Sequence, residues 1–291
     1  MPDSVVITGV STGIGAAAAR IAASHGAHVF GSVRRLEAAA ALQAELGERF
    51  TPLVFDVRDE AAVAAAASTV RTALGGKRLG GLVNNAGVAL AGPLALQPIA
   101  EFREQIEVNL MGPLIVTQAF LPLLGTDPGL SGAPGRVINL SSVGGRMAPP
   151  FLGGYAAAKH ALEGLSESLR RELMLFGIDV VIVAPGSVAT PIWDKAEETP
   201  IEPYLNSPYA PALQRFRAYF LKTGRAGYPP EKVGAVIWTA LSATKPATRY
   251  AVVINGLANW TIPRLLPRRV VDRIIAGQVG LKPAKEGSAS F

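Results

Sequence analysis

Tyr155-Ala-Ala-Ala-Lys159 sets a phenol and an ammonium four residues apart, a spacing that puts both on one face of a helix. A phenol with a pKa of about 10 is a poor base at neutral pH, and a neighbouring ammonium favours its ionised form. The pair can donate a proton to a carbonyl during its reduction, or take one from an alcohol. Taken alone, the spacing equally describes an ordinary surface pair. Its context adds weight. Ser142 lies thirteen residues upstream, at the end of a predicted strand, and Asn109 lies in a long predicted helix before that. Ser141 rivals Ser142 by type, but the thirteen-residue spacing favours Ser142.

A second constellation sits near the N-terminus. Thr8-Gly9-Val10-Ser11-Thr12-Gly13-Ile14-Gly15 joins a predicted strand to a predicted helix. The unpaired amides of a helix N-terminus and the helix dipole attract anions, and glycine lets the backbone approach a pyrophosphate closely. The bland alternative is a tight turn with no ligand. Its place on the first strand of an alternating strand–helix series favours a dinucleotide. The end of the second strand, Phe30-Gly31-Ser32-Val33, offers no acid for ribose hydroxyls, and Arg34-Arg35 follows at once. An arginine there accommodates a 2′-phosphate, so the expectation is NADP(H) in preference to NAD(H), with Arg34 as its first phosphate ligand. Ser11 and Thr12 add no clear further phosphate ligand, so this preference rests on Arg34 and the missing acid.

Apolar runs and chain breakers predict the elements that must hold these residues. Strands are expected at 4–8, 27–33, 51–55, 80–84, 136–141, 178–184 and 249–254. Helices are expected at 14–25, 35–46, 61–74 (capped by Asp59), 99–124, 153–176 and 230–242. The fold expected is α/β: a doubly wound, Rossmann-type parallel sheet of about seven strands with helices on both faces. One domain is expected to span 1–291. A helical insertion at about 191–228 would act as a substrate lid, and a basic amphipathic extension covers about 257–291.

With these motifs in place, the chain resembles the short-chain dehydrogenase/reductase family over about residues 4–256. The likeness is carried by Thr8–Gly15, Asp56-Val57, Asn84–Gly87, Asn109, Ser142, Tyr155 with Lys159, and Pro185-Gly186 with Thr190. The resemblance implies that Ser142 hydrogen-bonds the substrate oxygen and that Tyr155 transfers the proton. Lys159 would bind the nicotinamide ribose and lower the tyrosine pKa, and Asn109 would hold a water in a proton relay. Cofactor contacts would come from Gly9, Ser11, Thr12, Gly13, Ile14 and Gly15. Asp56 and Val57 would meet adenine, and Asn85, Ala86, Gly87 and Val108 would line the groove with Tyr155 and Lys159. Pro185, Gly186, Val188 and Thr190 would complete the nicotinamide end. Read as residues alone, Asn84, Asn85 and Asp56 are equally turn or capping residues, and Asn109 equally bonds local backbone.

The long segment after Pro185-Gly186-Ser187 and the C-terminal extension look like hydroxysteroid and retinol dehydrogenases, which implies a bulky apolar alcohol, ketone or aldehyde. The alternatives are a reductase of small ketones or acyl-thioester ketones, and a catalytically silent NADP(H)-binding sensor or scaffold. The resemblance also implies a homodimer or homotetramer, with the helices at 99–124 and 153–176 as interfaces.

Composition narrows the remaining classes. The 291 residues are 49% hydrophobic and 17% charged, enough apolar residue for a large core. Without cysteine there is no disulfide, thiolate metal site or cysteine nucleophile. His25, His28 and His160 do not cluster with carboxylates at ligand spacing, so no metal is expected. The net charge of +6 is scattered except at Arg264, Arg268, Arg269 and Arg273, and no nucleic-acid motif accompanies it. The first apolar run begins at Val5, and no apolar stretch reaches the roughly 20 residues of a membrane span. A cytoplasmic location is therefore expected. Leu265, Leu266, Val270, Val271, Ile274 and Ile275 alternate with the four arginines, so weak contact with an anionic membrane surface is one expectation. Docking on the chain's own body or on a neighbouring subunit is the other. Trp193, Tyr204, Tyr209, Phe216, Tyr219 and Phe220 either line a lid or pack the insertion onto the body.

Overall fold

A computed structural model describes residues 2–282. Seven strands alternate with helices. They are β1 (Ser4–Ile7), β2 (His28–Val33), β3 (Phe50–Val54), β4 (Gly81–Asn84), β5 (Arg136–Leu140), β6 (Asp179–Pro185) and β7 (Arg249–Val252). All pairings are parallel, in the order β3-β2-β1-β4-β5-β6-β7. Strand order reverses between β1 and β4, and the crevice at the carboxyl ends of these two strands is where a doubly wound sheet binds ligands. The sheet matches the expected one, with strand ends within two residues of those read from the sequence.

Burial explains the apolar runs. Val5, Val6 and Ile7 are fully buried because helices cover both faces of the sheet. On one face lie α1 (Gly13–Ser24), α2 (Ala40–Leu46) and α9 (Pro230–Ser242). The alanines of α1 allow close approach of α9: a side chain at Gly234 would meet the backbone of Ala17 and Ala18 at 3.1 Å. On the other face lie α3 (Glu60–Leu74), α4 (Ile99–Ile106), α5 (Gly112–Leu121) and α6 (Gly153–Glu172). Asp59 caps α3 by accepting from the Ala62 amide at 3.0 Å, and Gly75 ends it in the left-handed region. Each large apolar side chain buried in these layers contributes about 1.5–3 kcal/mol.

Two features differ from the periodicity reading. The run expected at 99–124 extends to Thr126 and is interrupted by π-turns at Glu107–Met111 and Pro122–Thr126. By length and composition Ile99–Thr126 could cross a membrane, which corrects the expectation that no stretch is long enough. Here Val116, Phe120, Leu123 and Leu124 of that run are buried in the core beneath the sheet.

The insertion folds into α7 (Ile192–Glu198) and α8 (Ala210–Arg225). Trp193 lies against Gly224, where a side chain would come within 2.4 Å of the indole, and Trp193 meets Phe220 edge-on. Trp193, Tyr204 and Phe216 are buried, whereas Tyr219 is exposed. The chain then continues through a π-turn at Leu257–Thr261 to α10 (Ile262–Leu265) and α11 (Arg268–Val279). The final part of the predicted extension, 283–291, lies outside the described residues.

Candidate active site

At the switch point, the turns after β1 and β4 are stitched together. Thr8 Oγ1 accepts from the amides of Asn85 and Ala86 at 2.9 and 3.0 Å. The Asn85 side chain donates back to the Thr8 and Gly9 carbonyls at 2.8 and 3.0 Å. Asn85 therefore braces the turn, and Asn84 is buried beside Asn139 of β5, to which it donates at 2.8 Å. Gly9 and Gly13 adopt φ of +71° and +62°, a region that favours glycine.

The reason for Gly15 differs from the one expected. A side chain there would meet the Gly9 carbonyl at 2.2 Å and the Asn85 amide at 2.5 Å, so the turn's own backbone excludes it. Gly15→Ala should lower stability by about 1–3 kcal/mol and weaken dinucleotide binding with it. A thermal melt paired with an NADPH titration checks both, and a melt unchanged from wild type would contradict the packing argument.

The α1 N-terminus fits a bound pyrophosphate. Thr12 makes no side-chain cap to the first turn, and that turn contains no acid. Ser11 and Thr12 are exposed beside it. The free first-turn amides are donors awaiting an anion. Thr190 lies across the turn, close enough that a side chain at Gly13 would meet it at 3.2 Å. Val188 bridges to Tyr228, and its carbonyl accepts from the Trp193 indole at 2.6 Å, fixing the segment that follows Pro185 and Gly186.

At the other end of the groove, Ser32 is buried and its hydroxyl accepts from the Gly9 amide at 3.1 Å, so it turns inward. Arg34 and Arg35 are exposed beyond it. Arg34 is near enough to Asp56 to help lower that carboxyl's pKa, although the hydrogen bond from Arg58 is the main cause. Arg58 grips Asp56 through two bonds of 2.9 and 2.8 Å. Sequence reasoning missed Arg58. Its cue was only a basic residue two positions after a flagged aspartate. Val57 is buried against Gly112, so its side chain serves packing.

The proton-transfer residues converge beside this groove. Tyr155 and Ser142 both flank Gly144: a side chain there would meet Ser142 Oγ at 3.4 Å and the Tyr155 ring at 3.5 Å. Ser142 Oγ accepts from the Gly144 amide at 3.0 Å, which leaves its hydrogen for the phenol. Burial pushes the Tyr155 pKa above its usual value, and the adjacent Ser142 hydroxyl pulls it back in part.

Lys159 is buried, and its ammonium donates to the Leu140 carbonyl at 2.8 Å, 5.7 Å from the centre of the Tyr155 ring. Burial lowers its own pKa to about 8, so it is still mostly charged at neutral pH. For Tyr155 itself burial is the largest influence, and Ser142 offsets part of it.

Asn109 is fully buried in the first π-turn. Its amide donates to the carbonyls of Val88 and Gln105 at 2.8 and 2.9 Å, and its oxygen accepts from the Val88 amide at 3.2 Å. A side chain at Gly87 would meet that oxygen at 2.7 Å and Lys159 Nζ at 3.8 Å. Asn109 thus pins the segment that leads from Ala86 and Gly87 to the lysine, and Val108 beside it is packed into the core. These partners are backbone groups of Val88, 21 residues away, and of Gln105, one turn earlier.

An apolar wall stands next to the phenol. Phe151, Leu152, Ile201, Tyr204, Leu213 and Phe216 form one buried cluster, and Tyr155 packs against it. Phe151 holds a φ of +64°, unusual for a bulky side chain, and its carbonyl accepts from the Gly92 amide at 2.8 Å. The insertion's aromatics are therefore both packing groups and neighbours of Tyr155. No group of three or more metal-ligating side chains occurs among the described residues.

Sequence reasoning also missed a charged cluster behind Ser142. Glu163 accepts from Ser141 Oγ at 2.8 Å, from Arg146 Nε at 2.6 Å and from Arg249 Nη2 at 2.9 Å. No linear motif joins residues so far apart. Only α6 periodicity, which places Glu163 two turns beyond Tyr155, hints at it.

Comparison with known proteins agrees with this geometry. The profile of the short chain dehydrogenase family matches residues 3–201. The NADPH-dependent 3-dehydrocapnine reductase of Ornithobacterium rhinotracheale is 39% identical over 92% of this chain and 94% of its own. Retinol dehydrogenase 5 of Mus musculus is 35% identical over 93% of this chain and 87% of its own. Among solved structures, a short-chain dehydrogenase from Streptomyces avermitilis superposes with a TM-score of 0.75 at 28% identity, covering 97% of both chains.

Proposed function

This chain belongs to the short-chain dehydrogenase family, and we propose that it is an NADP(H)-dependent oxidoreductase interconverting a bulky apolar alcohol with its ketone or aldehyde. The observation that carries the reading is Tyr155 and Ser142 side by side at Gly144, one helical turn from Lys159, beside the glycine turn of a switch-point crevice. The first-turn amides of α1 would hold the pyrophosphate, and Arg34 would meet the 2′-phosphate. Val188 and Thr190 would border the nicotinamide. A nicotinamide bound there would supply the hydride to the carbonyl carbon, or take it from the alcohol carbon. Tyr155 gives its proton to the carbonyl oxygen in the first direction and takes the hydroxyl proton in the second. With a substrate in place, the single Ser142 hydroxyl hydrogen would turn from the phenol to the same oxygen and polarise it. Lys159 holds a positive charge one turn away, and Asn109 keeps the Gly87–Val88 segment against that lysine.

The apolar cluster packed on Tyr155 supports a large hydrophobic substrate, since such pockets select bulk while a few polar groups set orientation. The relatives that carry retinol dehydrogenase and NADPH-dependent reductase names favour the same class, and the second favours NADPH and the reductive direction. The groove between α5 and α6, lined by Leu114, Leu121, Leu165, Leu169 and Phe176, supports self-association through these helices. A screen of steroids, retinoids and simple ketones for NADPH oxidation, with NADH in parallel, tests the assignment. Turnover of a steroid or retinoid with NADPH is the expected result. Turnover of small ketones alone would overturn the substrate class, and none with any carbonyl would overturn the enzyme reading.

A further inference from the structure

The carboxylate of Glu163 is 3% exposed and takes no part in the proton transfer described above. Buried ion pairs are weak contributors to stability compared with apolar packing, so retaining one here calls for another role. Its partners bracket Ser142. Ser141 precedes that residue, and Arg146 follows the 3-10 turn Val143–Gly145. A side chain at Gly145 would meet the carboxylate at 3.1 Å, so the loop folds directly over it. Arg249 reaches in from β7, and its guanidinium also stacks on Trp260 at 4.4 Å, where Arg264 stacks at 4.6 Å. Outside the cluster Arg146 continues to Glu167, which also pairs with Arg171.

We infer that Glu163 is a positioning residue: it anchors both ends of the loop that aims the Ser142 hydroxyl at Tyr155, and Arg249 with Trp260 ties the C-terminal segment to that aim. This rests on the Tyr155–Ser142 pairing read above. Its consequence is that disturbing a residue far from the phenol changes how easily the phenol ionises. Ser142 and Lys159 are the polar groups that face Tyr155, and Lys159 is held separately by the Leu140 carbonyl. Loss of the Glu163 charge by itself would favour the phenolate and lower its midpoint, so a raised midpoint in Glu163→Gln reports on Ser142.

The test uses the full-length protein without cofactor, carrying isotopically labelled tyrosine, with the Tyr155 resonance assigned through Tyr155→Phe. The titration of Tyr155 is followed by NMR in wild type, Ser142→Ala, Glu163→Gln and Trp260→Ala. Ser142→Ala should raise the titration midpoint, Glu163→Gln should raise it in the same direction, and Trp260→Ala should raise it less. With an active substrate, Glu163→Gln should also lower kcat by about 10–100-fold with cofactor affinity unchanged. A Tyr155 midpoint unmoved or lowered in Glu163→Gln, while Ser142→Ala moves it, would overturn the inference and leave the phenol–serine pair intact. An unmoved midpoint in Ser142→Ala would instead overturn the pairing. Should Glu163→Gln fail to fold, Trp260→Ala decides the question, and no shift there rejects the coupling.

Discussion

Tyr155→Phe should lower kcat by about 10³-fold while leaving NADPH binding nearly unchanged. The substitution removes one oxygen and keeps the ring that packs against the Phe151–Phe216 cluster, so neither the wall nor the loop over Glu163 loses support. What goes is the titratable group on the ring that flanks Gly144 together with Ser142. Lys159 cannot take over. Its ammonium is bonded to the Leu140 carbonyl, 5.7 Å from the centre of the ring. Steady-state kinetics with a fluorescence titration of NADPH separate the two quantities. Retention of more than about a tenth of the wild-type kcat would remove Tyr155 from the acid/base role.

Arg34→Ala should weaken NADPH binding by about 10–100-fold and leave NADH binding close to wild type. The magnitude follows from losing a charge-assisted bond worth about 1.5–3 kcal/mol. The structure sharpens the argument for this residue. Ser32 faces the glycine turn and cannot serve a ribose, whereas Arg34 is exposed at the end of β2 with no carboxylate held to it. Arg58 is a further cation at this end besides Arg35, but two bonds bind it to Asp56, so Arg58→Ala should cost less. Parallel titrations of both dinucleotides into both variants check this. Equal losses for NADPH and NADH in Arg34→Ala would assign Arg34 to the fold or to the shared phosphates.

Much of this was legible in the sequence because the relevant signals are local. A strand buried on both faces reads as a continuous apolar run, and Val5–Ile7 or Val180–Val183 announce themselves that way. Tyr155 and Lys159 lie on one helix, so their juxtaposition follows from helical spacing. Asp59 signals its cap by type and position. The π-turns were not legible. One extra residue per turn changes the hydrogen bonding without leaving a compositional mark, and Asn109 sits inside such a turn.

Electrostatic direction was also beyond the sequence. The burial that raises the Tyr155 pKa, and the counteracting Ser142 thirteen residues away, show only in three dimensions. The Glu163 cluster was invisible for the same reason. Arg249 is 86 positions distant and arrives only because β7 pairs with β6 at the sheet edge. The reason for Gly15 likewise needed coordinates, because the atom it avoids is the Gly9 carbonyl and not a ligand.

The central claim is that one phenol serves as acid in reduction and as base in oxidation. Opposite pH dependences must follow. An acid works only while protonated, so reductive kcat should fall as pH rises through the Tyr155 pKa. A base works only once deprotonated, so oxidative kcat should climb over the same interval. Lys159, whose pKa is about 8, loses its charge earlier and would depress both directions together, which distinguishes its limb from that of the tyrosine. The most direct measurement is therefore kcat against pH in both directions on the wild-type enzyme. Above the shared Lys159 limb, mirror-image limbs through the Tyr155 pKa are the predicted result, and limbs of the same sign over that higher interval, or none, would contradict the account.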